Sequence, residues 1–277
     1  MRYFLCLLFL CASVYADSLV VKSTSYVEDG YLSSSGANTN YGNGTTMRLY
    51  TDNSLLITMV PIIRIKDVGG LMSGLSTTID SAFLKVYVAG SKNCTGYANY
   101  SVARVLKPFF EGDGTIGDGH PAGMTWNHWR DSTGTTSDSG WGVAGCGSAT
   151  DSVDNRGNHA GPDRMATAIA TVTGGAAGWD IINITTIARQ WMGDTVAENG
   201  VLFYLATSPC NDNMETADTL AFYSSEYTTD TSLTPRFVFY YTASAPPATP
   251  KQSPYRQGPL GCDAKAGPNG ASRRTGP

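Results

Sequence analysis

In a chain of 277 residues only 15% of side chains are charged and the formal net charge is −4, a balance with no basic patch to attract phosphate backbones or anionic membrane surfaces. Glycine, threonine, serine, tyrosine and asparagine are abundant instead. The length suits one all-β domain of roughly 220 residues followed by a tail, since sandwiches reach that size as single units.

The opening MRYFLCLLFLCASVYA has one arginine, an apolar run and a small-x-small ending, the pattern of a cleaved secretory signal. It predicts a signal peptide over 1–16, a mature start near Asp17 and a secreted, extracellular product. No later run is long enough for a membrane span, because LLITMVPIIRI (55–65) is short and broken by Pro61 and Arg64. With Cys6 and Cys11 in the signal, Cys94, Cys146, Cys210 and Cys262 remain. In an oxidising compartment, and without metal-ligand spacing, they predict two disulfides with three pairings open.

From Ser18 to Tyr31, SLVVKSTSYVEDGY is rich in β-branched residues and has no helical period, so it predicts one interrupted strand or two. After a Gly/Asn/Ser turn, TTMRLY resumes alternation, with Met47 and Leu49 on one face and Arg48 and Tyr50 on the other. Leu55 to Ile65 reads as a dense apolar strand pair. SAFLKVYVAG (81–90) alternates with Leu84, Val86 and Val88 inward against Phe83 and Lys85, and ANYSVARVL (98–106) continues the habit.

Phe109 to Trp141 is a long glycine-rich insertion that carries Trp126, Trp129 and Trp141. Loops of that length are ordinarily functional or without order; this one is expected to fold back and pin its indoles onto the sheet. Beyond it ATAIATVTGG, GVLFYLATS, TLAFYSSE and RFVFYYTA follow at short intervals, the spacing of a sandwich or barrel. NITTIARQWMGD breaks the rule: Ile184, Ile187, Ala188 and Trp191 recur at helical spacing, Asn183 or Thr185 can cap the start, and Gly193 marks the stop. From Ala243 the composition turns to APPATPKQSPYRQGP, which cannot form a packed core.

NTNYG with TTMRLY, then RIKD, SAFLKVYV, the EGDG and MTWN of the long loop, NITTIARQW, NGVLFYL, and FYSSEY with TPRFVFYY occur in one order. That order resembles the DNRLRE family, named with the disaggregatase-related repeats and similar to alginate-binding carbohydrate-binding modules. The resemblance covers about 29–242. It implies a jelly-roll β-sandwich with one short helix and a long tryptophan loop, acting as a non-catalytic extracellular module. Two positions depart from the family: Asn183-Ile184-Thr185 stands where it has Asp-Val-Thr, and Ser225 before Glu226 stands where it has arginine.

Glu111, Asp113 and Asp118 are carboxylates that can serve acid and base roles in sugar cleavage only when rigidly spaced. Among so many glycines they read as solvated loop acids, or, for Asp113 and Asp118, as ligands of a structural calcium, the single cofactor in view; Asp151, Asp154 and Asn155 offer the same. His120, His128 and His159 stand at no metal or triad spacing. Trp126, Trp129 and Trp141 are either loop pins or a sugar-stacking platform. Asn43, Asn93, Asn99 and Asn183 open N-glycosylation sequons.

The resulting expectation is a non-enzymatic secreted glycoprotein, a structural subunit of an extracellular fibre, sheath or wall, whose partner is itself. The alternative is a module that binds an acidic polysaccharide such as alginate. Residues 17–28 form an N-terminal extension strand in this reading, with Leu19 and Val21 as anchors inserted into a neighbour's groove. The competing assignment makes that segment the first strand of its own sheet.

Overall fold

A computed structural model of the chain describes residues 16–52, 57–75, 78–92, 99–112, 114, 123–129, 140–142, 144–147, 163–173, 177–204 and 218–243. The chain divides into two units, Met1–Ser244 and Ala245–Pro277, and the described residues belong to the first. The fold is all-β. Among the described residues the strands are β1 (Ala16–Val21), β2 (Val27–Ser33), β3 (Thr46–Asp52), β4 (Ile57–Ile65), β5 (Ile79–Lys92), β6 (Asn99–Arg104), β7 (Ala170–Thr173), β8 (Gly178–Asn183), β9 (Val201–Tyr204), β10 (Asp218–Tyr223) and β11 (Arg236–Thr242). Two short helices join them, α1 (Val68–Met72) and α2 (Thr185–Met192).

The strands form one antiparallel sheet in the order β1-β11-β5-β10-β3-β4-β9-β6-β7, with β2 added on β4 and β8 on β5. β5 is long enough to serve β11 and then β10 along one edge while β8 runs along the other. Strands of that length twist, and the sheet curls until its distant parts face each other. The Tyr100 hydroxyl of β6 donates to Asp180 Oδ2 of β8 at 2.8 Å. The Tyr100, Phe203 and Phe222 rings, from β6, β9 and β10, meet with centroids 5.4–5.6 Å apart.

Alternation sets which residues fill that core. Ala82, Leu84, Val86 and Val88 of β5 and Met47 and Leu49 of β3 are buried, while Phe83, Lys85, Arg48 and Tyr50 are only partly so. α2 turns Ile187, Ala188 and Trp191 inward, as its spacing predicts. Asn183 Oδ1 accepts the Thr185 N–H at 3.0 Å. The Thr185 hydroxyl instead accepts from Ala82 N at 3.0 Å, which docks the helix on β5. α1 is an addition to the single helix expected. Its Gly69-Gly70 pair is a poor helix former, and its first N–H groups are satisfied from far along the chain, where the Glu198 carboxylate accepts from Asp67 and Val68 at 2.7 and 2.8 Å.

The tryptophan loop packs down where it is described. Trp126 and Trp141 are buried and Trp129 is half-buried against the core. Trp141 Nε1 donates to the Thr125 carbonyl at 2.9 Å. Gly145, at φ 78, lies against the Trp126 ring so closely that a Cβ there would be 2.5 Å from it, so only glycine meets both demands.

The structure bears on two further expectations. Within the chain, residues 17–28 supply most of β1 and the start of β2, as in the competing assignment: β1 pairs with β11, with Leu19 opposite Phe239 and Val21 opposite Phe237, both turned toward the core. Alternation that puts Leu19 and Val21 on one face suits a half-covered edge strand as well as it suits an exchanged one. Cys146, expected in a disulfide, is a free and fully buried thiol, with Sγ 3.6 Å from the Asp163 carbonyl. Burial and the Asp163 charge push its pKa well above the ordinary thiol value, so it behaves as a small apolar core residue. Iodoacetamide at pH 8 should leave Cys146 unlabelled in the folded protein and alkylate it once the chain is unfolded without reductant. Failure to label after unfolding would mean a disulfide.

Candidate functional site

The outer face of the sheet carries an unusual set of side chains. An antiparallel sheet with one covered face normally offers polar residues to water on the other. Here the register sets Arg236 opposite Lys85, Lys85 opposite Ile181, and Tyr87 opposite Trp179. Trp179 is 36% exposed and Ile181 57%. Tyr87 meets Trp179 edge-on at 5.3 Å, stacks on Tyr223 at 5.8 Å, and Tyr223 stacks on Tyr227 at 3.8 Å. The Arg236 guanidinium lies 4.3 Å from the centre of the Trp179 ring, a contact worth about 0.5–1 kcal/mol at an exposed site, and it also donates to the Ser232 carbonyl. The hydrogen bond between the Tyr223 and Tyr227 hydroxyls raises the Tyr223 pKa. Phe83 and Tyr240 extend the row at its other end, edge-on at 6.1 Å.

A second constellation is buried. β2 is covered along its whole length, yet it carries Glu28 and Asp29. Glu28 has cationic partners, with Lys66 at 3.0 Å and Arg64 closer. Asp29 Oδ2 accepts the Ser225 N–H at 2.8 Å, while Oδ1 receives no hydrogen bond. Glu111 accepts the Asp29 N–H through Oε1 at 2.8 Å. Glu226 accepts the Ser225 hydroxyl through Oε1 at 2.7 Å and keeps a buried Oε2 without a donor. One oxygen from each of Asp29, Glu111 and Glu226 lies within 4.8 Å of the other two.

The chain around the acids is built for close approach. A Cβ on Gly42 would stand 2.2 Å from the Glu111 carbonyl oxygen, and Asn40 Nδ2 donates to that carbonyl at 2.6 Å and to that of Met124 at 2.8 Å. Burial pushes Glu111 up to about 8, with the Glu226 and Glu28 charges adding to it. Burial also lifts Asp29 well above the usual carboxylate range, helped by Glu226 and Glu111. Glu226 is raised by burial too.

The structure redistributes the residues singled out from sequence. Trp126 and Trp141 have their rings in the core, so they act as pins, and Trp179 takes the exposed position. Glu111 is not a solvated loop acid: it meets Asp29 and Glu226, two acids with no spacing in the sequence that marks them as a site. The calcium candidates Asp113 and Asp118 lie outside the described residues, as do His120, His159, Asp151, Asp154 and Asn155. Asn93, Cys94, Cys210 and Cys262 do as well. Of the sequons, Asn43, Asn99 and Asn183 are exposed, Asn183 even while its Oδ1 accepts the Thr185 N–H. His128 hydrogen-bonds within the loop, its N–H to Thr125 Oγ1 at 3.1 Å. A separate cleft of about 540 Å³ between α2 and the segment before β7 is lined by Arg104, Met165, Asn183 and Gln190 among others. No helix among the described residues is long and apolar enough to cross a membrane.

No protein-family model matches this chain, and no curated protein does either.

Proposed function

We propose that the chain is a secreted, non-catalytic jelly-roll module that binds an acidic polysaccharide such as alginate through its outer sheet face. The observation that carries this reading is the row of Trp179, Tyr87, Tyr223 and Tyr227 with Arg236 and Lys85 beside it. Flat rings cover the apolar faces of sugars while their N–H and O–H groups bond hydroxyls. A planar guanidinium already set against an indole pairs with carboxylates at a low ordering cost. A structural subunit of a fibre, sheath or wall is the second reading. It is favoured by the apolar end of the same face, where Val20 is 50% exposed and Tyr240 36%, an area that a second copy would cover.

Titration calorimetry with polyuronate and neutral glucan oligomers tests the first reading. Binding to the polyuronate alone is expected, weakened about tenfold or more by Trp179→Ala, equivalent to at least about 1.4 kcal/mol, and weakened by added salt. The fold should survive, because Trp179 is exposed. No heat with polyuronate, together with ordered polymers in electron micrographs, would support the structural reading instead.

A further inference from the structure

We propose that Asp29, Glu111 and Glu226 form a divalent-cation site of calcium type that ties β2, the start of the tryptophan loop and the turn between β10 and β11 into one body. Two independent observations carry this. The first is convergence: three carboxylates distant in sequence bring one oxygen each within 4.8 Å of the others, inside the roughly 5 Å that separates two oxygens on opposite sides of a calcium ion bound at about 2.3–2.6 Å. The second is the state of those oxygens. Asp29 is fully buried with Oδ1 lacking any donor, and the buried Oε2 of Glu226 lacks one as well.

Buried carboxylates without partners are costly unless a cation or a proton compensates them. The nearby cations Arg64 and Lys66 are ion-paired with Glu28, and of the two Lys66 also acts on Glu111, through its charge. The donor set is all oxygen, without imidazole or thiolate, which selects a hard cation over zinc or copper. Once deprotonated, the three carboxylates outweigh the two charges of the ion, so calcium binding releases protons from the cluster. The three segments that the ion would join have separate routes through the fold: β2 lies on β4, Glu111 follows β6, and Glu226 follows β10. A shared cation therefore acts as a cross-link that the unfolded chain cannot form.

The test uses the full mature chain, stripped with chelator and dialysed. Calcium-45 equilibrium dialysis should show a site that Glu226→Gln weakens at least tenfold, and calcium at about a hundredfold excess over Kd should raise Tm by roughly 5–10 °C. Glu226→Gln keeps the shape and the Ser225 hydrogen bond, so it should fold and lose most of that calcium-dependent rise. Asp29→Asn serves as the second variant, read in the same way. An unchanged Tm with calcium in the wild-type chain, or calcium uptake untouched by both substitutions, would overturn the proposal. In that case the three carboxyl groups share protons instead. Because the readouts are metal uptake and thermal stability, they are independent of whether the outer face binds a polysaccharide.

Discussion

Phe222→Ala is expected to lower the unfolding free energy by about 3–5 kcal/mol, the usual cost of emptying a large aromatic site in a core. Phe222 is fully buried on β10, and its ring meets Tyr100 and Phe203 edge-on at 5.6 and 5.5 Å. β10 belongs to the part of the sheet built on β5 and β3, while Tyr100 and Phe203 come from β6 and β9 near the far end of the strand order. The ring is thus a wedge between surfaces that touch only because the sheet curls. Where β10 meets β5, Ala221 faces Gly90 and Phe222 faces Val88, so β5 carries an extra residue beside the Phe222 site. Urea unfolding followed by far-UV circular dichroism measures the effect, with the slope m unchanged if only stability moves. Against a typical domain stability of about 5–15 kcal/mol, the variant should sit near the edge of folding at 37 °C. Phe222→Leu should cost much less. A loss under about 1 kcal/mol for the alanine variant would show that the curled arrangement does not depend on this contact.

The parts legible in the sequence are those fixed by short-range pattern. Leu84, Val86 and Val88 were placed inward by alternation and Ile187, Ala188 and Trp191 by a period near 3.6, and all are buried. In both cases a residue and its neighbours within one turn or two strand positions decide the face. α1 was not legible, because its Gly-Gly sequence outweighs the local cap that Asp67 gives Gly70 N–H, and its Asp67 and Val68 N–H groups are satisfied by Glu198, more than a hundred residues away. The acid cluster escaped for the same reason. From sequence alone Glu111 reads as a solvent-facing acid because of the surrounding glycines. Glycines instead let two segments pack tightly: a Cβ on Gly123 of the loop, or on Gly42 of the segment facing it, would stand 2.7 or 2.2 Å from the Glu111 carbonyl oxygen. Asp29 sat in a β-prone stretch where a buried acid leaves no mark, and Glu226 was seen only as a departure from an expected arginine. The outer aromatic row was half legible. Phe83 and Lys85 were placed on the outer side of β5, and the same alternation applied to GWDIIN (178–183) puts Trp179 and Ile181 beside them. What alternation alone cannot supply is which strand lies next to which, and so that Trp179 meets Tyr87 and Arg236.

Removing residues 16–21 is expected to leave the chain unfolded or aggregated, with no soluble monomer. The segment pairs with β11 over its whole length, from Ala16 opposite Thr242 to Val21 opposite Phe237. β11 lies between β1 and β5 and contributes Phe237 and Phe239 to the core. Val21 is buried and Leu19 packs against the core, so their loss costs about 1.5–3 kcal/mol each. Each ladder hydrogen bond adds about 0.5–1.5 kcal/mol. Together these approach the whole stability of a domain, and the deletion also uncovers the edge of β11 as a template for other chains. The link from β1 to β2 favours pairing within the chain: residues 22–26 close through Tyr26 N–H and Val27 N–H, both donating to the Ser23 carbonyl at 2.9 and 2.8 Å. A connection that tight gives β1 a short reach toward a neighbour. Size-exclusion chromatography and circular dichroism of the truncated chain decide between the two arrangements. A folded, soluble monomer that no longer forms polymers would mean that the strand is exchanged between subunits. Loss of the monomer, restored in part by adding a synthetic 16–21 peptide, would show that β1 completes the sheet of its own chain.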